Sequence, residues 1–486
     1  MVHKSPAAAR LGGRRVSARS LFVGGTSSNA GKSWMVTAMC ASLRRRGLAV
    51  APFKAQNMSN NSFPCRDGGE IGRAQVAQAQ ACGLEPESAM NPILLKPNGD
   101  GTSQVVVRGQ AWKTLPAREY YKHFDVLLAE VLAAYRELAR RFDVIVIEGA
   151  GSVSELNLRP FDLVNLGLVT RLEAPWVLVA DIERGGVFAS IVGTVALLTP
   201  EERGLFRGFL VNKFRGDRSL FEPGAGMIES RTGAPCLGVF PFAHDLRLDA
   251  EDTLAMESVR RTAPPEGARI AILRFPCMSN STDFRLLTWA DWIDSSGRED
   301  YDFVILPGSK NTMADLAWLR ARRLDAWILD QHRKGATVIG VCGGFQMLGE
   351  ELADPRGVES AETFARGLAL LPVTTVMESS KTTCVRRART PAGVQFEGYE
   401  IHLGTTTARE PSPPFAFLED GSPEGVRRNR VMGTYLHGSF ENAGVCSEVL
   451  GVAVEHVESD PGRTAEYLRL ADWFEAHCRK PDAWLP

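Results

Sequence analysis

Residues 20–24, S-L-F-V-G, run directly into G-T-S-S-N-A-G-K-S at 25–33, after which Trp34, Met35, Ala38 and Met39 follow at helical spacing. A strand, a glycine-bearing loop and a helix in that order turn successive backbone N–H groups and a helix N-terminus toward one anion. Lys32 and Ser33 then fall where the β- and γ-phosphates of a nucleotide and a magnesium ion would sit. The usual pattern wants glycine five positions before Gly31; Thr26 stands there, with Gly25 one earlier, so the loop is a variant. Thr26, Asn29, Gly31, Lys32 and Ser33 are the candidate nucleotide ligands.

Such a loop belongs to a parallel sheet, and the pattern downstream agrees. Short β-rich runs at 48–54, 143–147, 176–181 and 208–213 alternate with helix-period segments, the signature of βαβ units. The longest such segment, 117–142, carries Tyr121, Phe124, Leu127, Leu128, Val131, Leu132, Tyr135, Leu138 and Phe142 at three- and four-residue spacing and predicts one amphipathic helix. T-A-P-P-E-G at 262–267 interrupts the pattern, and a second cycle follows: strands at 269–275, 302–306 and 336–341, a helix at 315–332 and another from Gly343. A proline- and acid-rich stretch at 409–423 reads as a loop. With 486 residues, more than one core usually supports, the expected division is a disordered basic tail at 1–18, a first unit at 19–258 and a second at 268–486.

The net charge of −1 offers no basic field for nucleic acid. Nine scattered cysteines without a C-x-x-C pair argue against disulfide or zinc scaffolds and for a reduced, cytoplasmic setting. The first twenty residues lack the apolar core of a secretory signal, and no run of about 18 apolar residues suggests a membrane span. Oligomeric state is not legible.

Two further motifs carry chemistry. The run D-V-I-V-I-E-G-A-G at 143–151 ends a strand on Glu148, where an open α/β sheet presents ligand-binding groups. G-V-C-G-G-F-Q at 340–346 sets Cys342 on a strand-to-helix turn among glycines, an elbow that exposes a nucleophile. Neighbouring N–H groups there, Gly343 among them, can lower the thiol pKa and donate to an oxyanion. A thiol nucleophile needs a base, and His437 in G-T-Y-L-H-G-S-F at 433–440 ends a β-like run; Pro307-Gly308 after a strand is a candidate oxyanion turn.

The phosphate loop resembles those of dethiobiotin synthetase and the corrinoid amide synthetases. A partitioning-type ATPase would carry a second lysine where Ser27 stands. The cysteine motif resembles the G-x-C-x-G-x-Q signature of class I glutamine amidotransferases, which adds Gln346 to the site. Three segments, at 51–62 (A-P-F-K-A-Q-N-M-S-N-N-S), 154–167 and 180–189, resemble corrinoid amide synthetases closely, the first favouring the branch that adds four amides over the sister that makes the a,c-diamide.

The resemblance implies an α/β chain: a dethiobiotin-synthetase-like P-loop sheet domain followed by a class I amidotransferase-like domain. It also implies ATP and Mg²⁺ on Ser33 and Glu148, glutamine as ammonia donor, and a corrinoid that is substrate rather than bound cofactor. Lys54, Asn57, Glu155, Asp162 and Asp181 are the substrate-loop candidates. Many amidotransferases orient the histidine with a glutamate two residues later; here that position is Ser439. Glu441, four after His437, could be a distant substitute, but the resemblance implies a Cys-His pair without a third member, and Glu441 reads rather as a solvated surface residue.

Overall fold

In the computed structural model, residues 18–99, 101–243, 246, 263–297, 299–360, 362–454 and 461–486 are described. All of the expected basic tail except Ala18, and the expected end of the first unit at 258, lie outside them.

The first unit is built on six parallel strands: β1 (Arg19–Gly25), β2 (Val50–Phe53), β3 (Val144–Glu148), β4 (Trp176–Asp181), β5 (Phe206–Phe214) and β6 (Cys236–Pro241), in the spatial order β6–β5–β4–β1–β3–β2. The strands read as nearly continuous apolar runs because helices cover both faces. Alternate side chains go to opposite cores: Phe22, Ile145, Ile147 and Leu178 to one, Leu21, Val23, Val144, Val146 and Val177 to the other. Full burial of each such large side chain stabilises the fold by about 1.5–3 kcal/mol. Register sets Val23 opposite Glu148 on one side and Val177 on the other, so the loop after β1 opens beside the end of β3.

Helix α1 (Lys32–Arg45) leaves that loop through Gly31 at φ +99°, and a Cβ at Gly31 would meet the Asn212 amide at 2.0 Å. Only glycine tolerates both the left-handed backbone and that approach. Helix α2 (Arg73–Ala81) and an antiparallel pair, Ile93–Pro97 with Thr102–Val107, stand beside this sheet toward the second unit.

The segment 117–142 is not one helix. It forms a single turn (Ala117–Tyr120), a 3-10 turn (Tyr121–His123) and then α3 (Phe124–Ala139). Tyr120 turns inward to bond Gln56, and Tyr121 and Phe124 both pack on Phe161, which bends the chain before the regular helix begins. The buried face of α3, Leu127, Val131, Ala134, Tyr135 and Leu138, follows the expected period.

The second unit centres on strands β7 (Ile270–Leu273), β8 (Asp291–Ile293), β9 (Phe303–Leu306), β10 (Thr337–Val341), β11 (Val426–Arg428) and β12 (Val431–Thr434), ordered β8–β7–β9–β10–β12–β11 and parallel except for the last hairpin. The helix expected at 315–332 is two, Thr312–Ala321 and Leu324–Arg333, broken at Arg323 with φ +59°. Leu319 and Leu324 are both fully buried; five residues apart they cannot share one face of an unbroken helix, so the chain resets its phase between them. The expected loop at 409–423 contains the short strand Ala416–Leu418 and runs into another at Pro423–Glu424, because Phe415 and Ala416 are fully buried. A long hairpin, Val373–Arg389 with Gln395–Ala408, crosses over the sheet end.

The chain's last helix, Pro461–His477, departs from the expected second unit. It lies on the first: Tyr467, Leu470 and Phe474 join the core of α1, Phe240 stacks on Phe474, and Ser42 Oγ donates to Glu475 at 2.6 Å. Its apolar residues close the face of the first sheet that α1 covers only in part. No helix among the described residues is long and apolar enough to cross a membrane.

Candidate active site

Two centres lie at the carboxyl ends of the two sheets. In the first, Lys32 curls over its own loop and donates to the carbonyls of Ser27 at 3.0 Å and Gly151 at 2.8 Å. Ser33 Oγ donates to Glu148 Oε1 at 2.8 Å, Lys54 Nζ donates to the same oxygen at 2.9 Å, and Gln78 of α2 donates to Oε2. Glu148, Lys54 and Gln78 are all buried, so this carboxylate is held by a cation and two neutral donors. Thr26 N–H donates to Val179, and Asn29 sits at φ +59° with its carbonyl taking Lys213 Nζ at 2.7 Å.

The remaining sequence candidates divide. Lys54 joins the first centre. Asn57 donates to Gln75 at 3.0 Å and lies behind it. Asp181 is bonded by Lys213 at 2.9 Å and so braces the phosphate loop at one remove. Asp162 accepts the N–H groups of Val164, Asn165 and Gly167, which makes it a turn residue. Glu155 is exposed before the 3-10 turn Leu156–Phe161. Reading the sequence missed Asn165, which clasps both the N–H and the carbonyl of Ala150, and Asn212, which donates to Ala30 in the phosphate loop. Asn212 and Lys213 end an apolar strand as Glu148 does, so the same rule would have found them.

In the second centre Cys342 has φ +51° and ψ −109°, a strained conformation for a non-glycine residue, between β10 and the short helix Gly343–Leu348. A Cβ at Gly344 would stand 1.9 Å from the Leu306 carbonyl, and one at Gly308 2.9 Å from His437 Cε1, so the turn closes only on glycine. The thiol points toward the Ile401 carbonyl at 3.7 Å. Gln346 is fixed between Thr312 Oγ1 at 3.0 Å and the Tyr435 hydroxyl at 3.1 Å.

His437 is 1% exposed and stacks on Tyr399. Its Nδ1 donates to Asp283 Oδ2 at 2.7 Å, while Asp283 Oδ1 takes the Gly438 N–H at 2.9 Å. That leaves Nε2 for the Cys342 thiol. Burial works to discharge the ring, but the negative charges of Asp283 and Cys342 outweigh it and lift the imidazole well above its ordinary range.

Asp283 is the orienting group that position 439 does not supply. It arrives from 154 residues upstream, in a polar run after β7 that carries no motif. Glu441 is neither solvated nor an orienting group. Its side chain is 8% exposed and paired with Arg73 of α2, with Arg285 at 3.3 Å. Arg73 also lies over the rings of Phe63 and Tyr399. Helix α2 therefore carries Gln78 to Glu148 at one end and Arg73 to the aromatic ring stacked on His437 at the other.

Comparison with known proteins agrees with this pairing of centres. The CobQ/CobB/MinD/ParA nucleotide binding domain matches residues 21–254, and the CobB/CobQ-like glutamine amidotransferase domain matches residues 269–445. A probable cobyric acid synthase of Methanoculleus marisnigri is 45% identical over 481 residues, covering 94% of this chain and 96% of that protein. The chain belongs to the cobyric acid synthase family. The expected order, a nucleotide-binding parallel-sheet domain and then a glutamine amidotransferase domain, is the order of the matched models, and the chain is an enzyme of the glutamine-dependent amide-forming kind. Among solved structures, two glutamine amidotransferases, the second from Thermotoga maritima, are 17% and 13% identical. They cover 42% and 44% of this chain and 98% and 95% of theirs, with TM-scores of 0.28 and 0.27, too low to bear on the argument.

Proposed function

We propose that this enzyme converts adenosylcobyrinic acid a,c-diamide to cobyric acid, amidating the b, d, e and g carboxylates with ammonia drawn from glutamine, in cobalamin biosynthesis. Support comes from family membership together with one observation: a strained cysteine beside an aspartate-held histidine shares a chain with a phosphate loop whose serine bonds a buried strand-end glutamate.

At the second centre the Cys342 thiolate attacks the side-chain carbonyl carbon of glutamine. The N–H groups around Gly308 and Gly343 receive the developing oxyanion, and His437 gives its Nε2 proton to the departing ammonia. Water then attacks the γ-glutamyl thioester, its proton passing to His437, and glutamate leaves. Asp283 keeps the Nδ1 proton in place throughout.

At the first centre ATP lies on Thr26, Asn29, Gly31, Lys32 and Ser33. The hard oxygens of Ser33 and Glu148, in contact with each other, suit Mg²⁺, which would neutralise phosphate charge there. A corrinoid carboxylate takes the γ-phosphoryl group, ADP departs, and ammonia displaces phosphate to leave the amide. Lys54, already on Glu148, neutralises the incoming carboxylate, and Asn57, Glu155, Asp162 and Asp181 shape the surrounding loops. The two units divide between β6 and β7, with 461–486 returned to the first.

The test is to incubate the protein with glutamine, ATP, Mg²⁺ and corrinoid acids and to count added amides by mass. Four amides on the a,c-diamide are expected. No added amide sinks the reading, and two amides on the unamidated acid with none on the diamide move it to the sister reaction.

A further inference from the structure

The recess beside Cys342, about 450 Å³ including its open mouth, is not walled by the amidotransferase unit alone. Lys310, Gln346, Glu359 and Lys381 line it from that unit, and Lys96 and Gln104 enter from the antiparallel pair of the nucleotide-binding unit. Lys310 is 9% exposed, and among the described residues its ammonium makes no hydrogen bond or direct ion pair, although the Glu359 charge acts on it from nearby. Burial pushes it below the usual lysine range. Lys96 is buried deeper still. Its Nζ donates to Ser62 Oγ and to Glu70 Oε2, each at 2.8 Å, and an ammonium has three donors, so one is left over. Glu70 is also paired with Lys381, across the boundary between units. The Oε1 of Gln104 is buried without a partner among the described residues. Glu359 accepts the Thr312 N–H at 2.5 Å.

Among the side chains that line the recess and their direct ion-pair partners, Lys96, Lys310 and Lys381 face two carboxylates, Glu70 and Glu359, and a buried ammonium without a hydrogen-bonded counter-ion is costly unless a ligand brings the anion. The position of Cys342 says which anion. A glutamine whose amide carbon lies on Sγ has its α-carbon three bonds further on, with a carboxylate and an ammonium beyond it.

We propose that Lys310 and Lys96 together bind the α-carboxylate of glutamine, with Glu359 taking its α-ammonium, so that a lysine of the nucleotide-binding unit completes the glutamine site. This rests on the reading that Cys342 hydrolyses glutamine. The amidotransferase unit alone would then recognise glutamine incompletely, and primary amides lacking an α-carboxylate would be poor substrates.

The experiment compares hydrolysis of glutamine with that of 4-aminobutanamide, which is glutamine without its α-carboxylate, by the full-length protein and its Lys96→Met, Lys310→Met and Cys342→Ser variants. In each lysine variant kcat/KM for glutamine falls about tenfold to a hundredfold, mostly through KM, as expected for loss of a charged hydrogen bond. For 4-aminobutanamide it changes little, so the preference for glutamine collapses. That ratio does not depend on how much of a variant folds, and Lys310→Arg restores part of it. Glu359→Gln instead relaxes discrimination against glutaramate, which lacks the α-ammonium. An unchanged preference in both lysine variants overturns the proposal while leaving Cys342 as nucleophile. Hydrolysis surviving in Cys342→Ser overturns the reading beneath it.

Discussion

Replacing Asp283 by asparagine asks how the base is held. In the parent protein the carboxylate takes the His437 Nδ1 proton at 2.7 Å and the Gly438 N–H at 2.9 Å, with both side chains 1% exposed. Asparagine keeps the shape and one acceptor but withdraws the charge that opposes the burial of His437. Its amide can also donate to Nδ1, which moves the ring proton to Nε2, the atom meant for Cys342. Replacing the orienting aspartate of a serine triad by asparagine lowers kcat by about 10⁴ because the ring takes the wrong tautomer. A thiol depends less on its base than a hydroxyl does, so a smaller loss is expected here: kcat for glutamine hydrolysis should fall by about two orders of magnitude. Glutamate release measures this directly. Amidation driven by ammonium salts runs in parallel and should hold within about twofold, because the phosphate loop is untouched. Glutamine hydrolysis within about threefold of the parent would refute the assignment of Asp283.

Cys342→Ala should abolish glutamine-dependent amidation and leave the ammonium-driven reaction, as product mass would show. Glu148→Gln removes the charge that Ser33 and Lys54 share; ATP-dependent turnover should drop at least about a hundredfold, and the Mg²⁺ concentration giving half-maximal rate should rise. Arg73→Met strips Glu441 of its closer partner. With Arg285 still at 3.3 Å, the loss should be about 2 kcal/mol rather than the full cost of an orphaned buried charge, read from urea unfolding. Burial pushes the Glu424 carboxyl up to about 7, with Glu400 adding repulsion and the donors Thr434 and Tyr435 opposing. The folded chain therefore holds a proton that the unfolded chain has lost between about pH 4.5 and 7, and stability falls as pH rises through that window. Glu424→Gln should flatten this slope, by about 3 kcal/mol at most, and unchanged melting temperatures at pH 5 and 8 would count against it.

Most of the parallel strands were legible because a strand buried on both faces must be apolar throughout, and 176–181 could hardly be anything else; the edge strands Cys236–Pro241 and Asp291–Ile293 were not, being short or less uniformly apolar. Helix ends were harder. The bend at Tyr121–His123 comes from Phe161 and Gln56, which are distant in sequence, and the break at Arg323 from a change of phase that a periodicity count passes over. The destination of the last helix was hidden for a similar reason. Its apolar residues announce burial but not against what, and the partner, α1, lies more than 400 residues earlier.

The site shows the same division more sharply. Lys32, Ser33, Glu148 and Cys342 occupy places where local chain geometry makes the chemistry, a loop, a strand end and an elbow, so spacing alone exposes them. Asp283, Lys96 and Arg73 act only through residues that folding brings to them, and a lone aspartate, lysine or arginine carries no spacing to read. Four residues beyond His437 stands Glu441, acidic and with a side chain only 8% exposed, as an orienting group would be. Yet both oxygens of Glu441 are already claimed, Oε1 by Arg73 and Oε2 by Arg285. Asp283 therefore falls to the histidine because its other oxygen is fixed by the Gly438 N–H, one residue beyond the ring it serves. Two carboxylates that sequence alone cannot rank are told apart by what else each bonds, and that is a property of the packed chain.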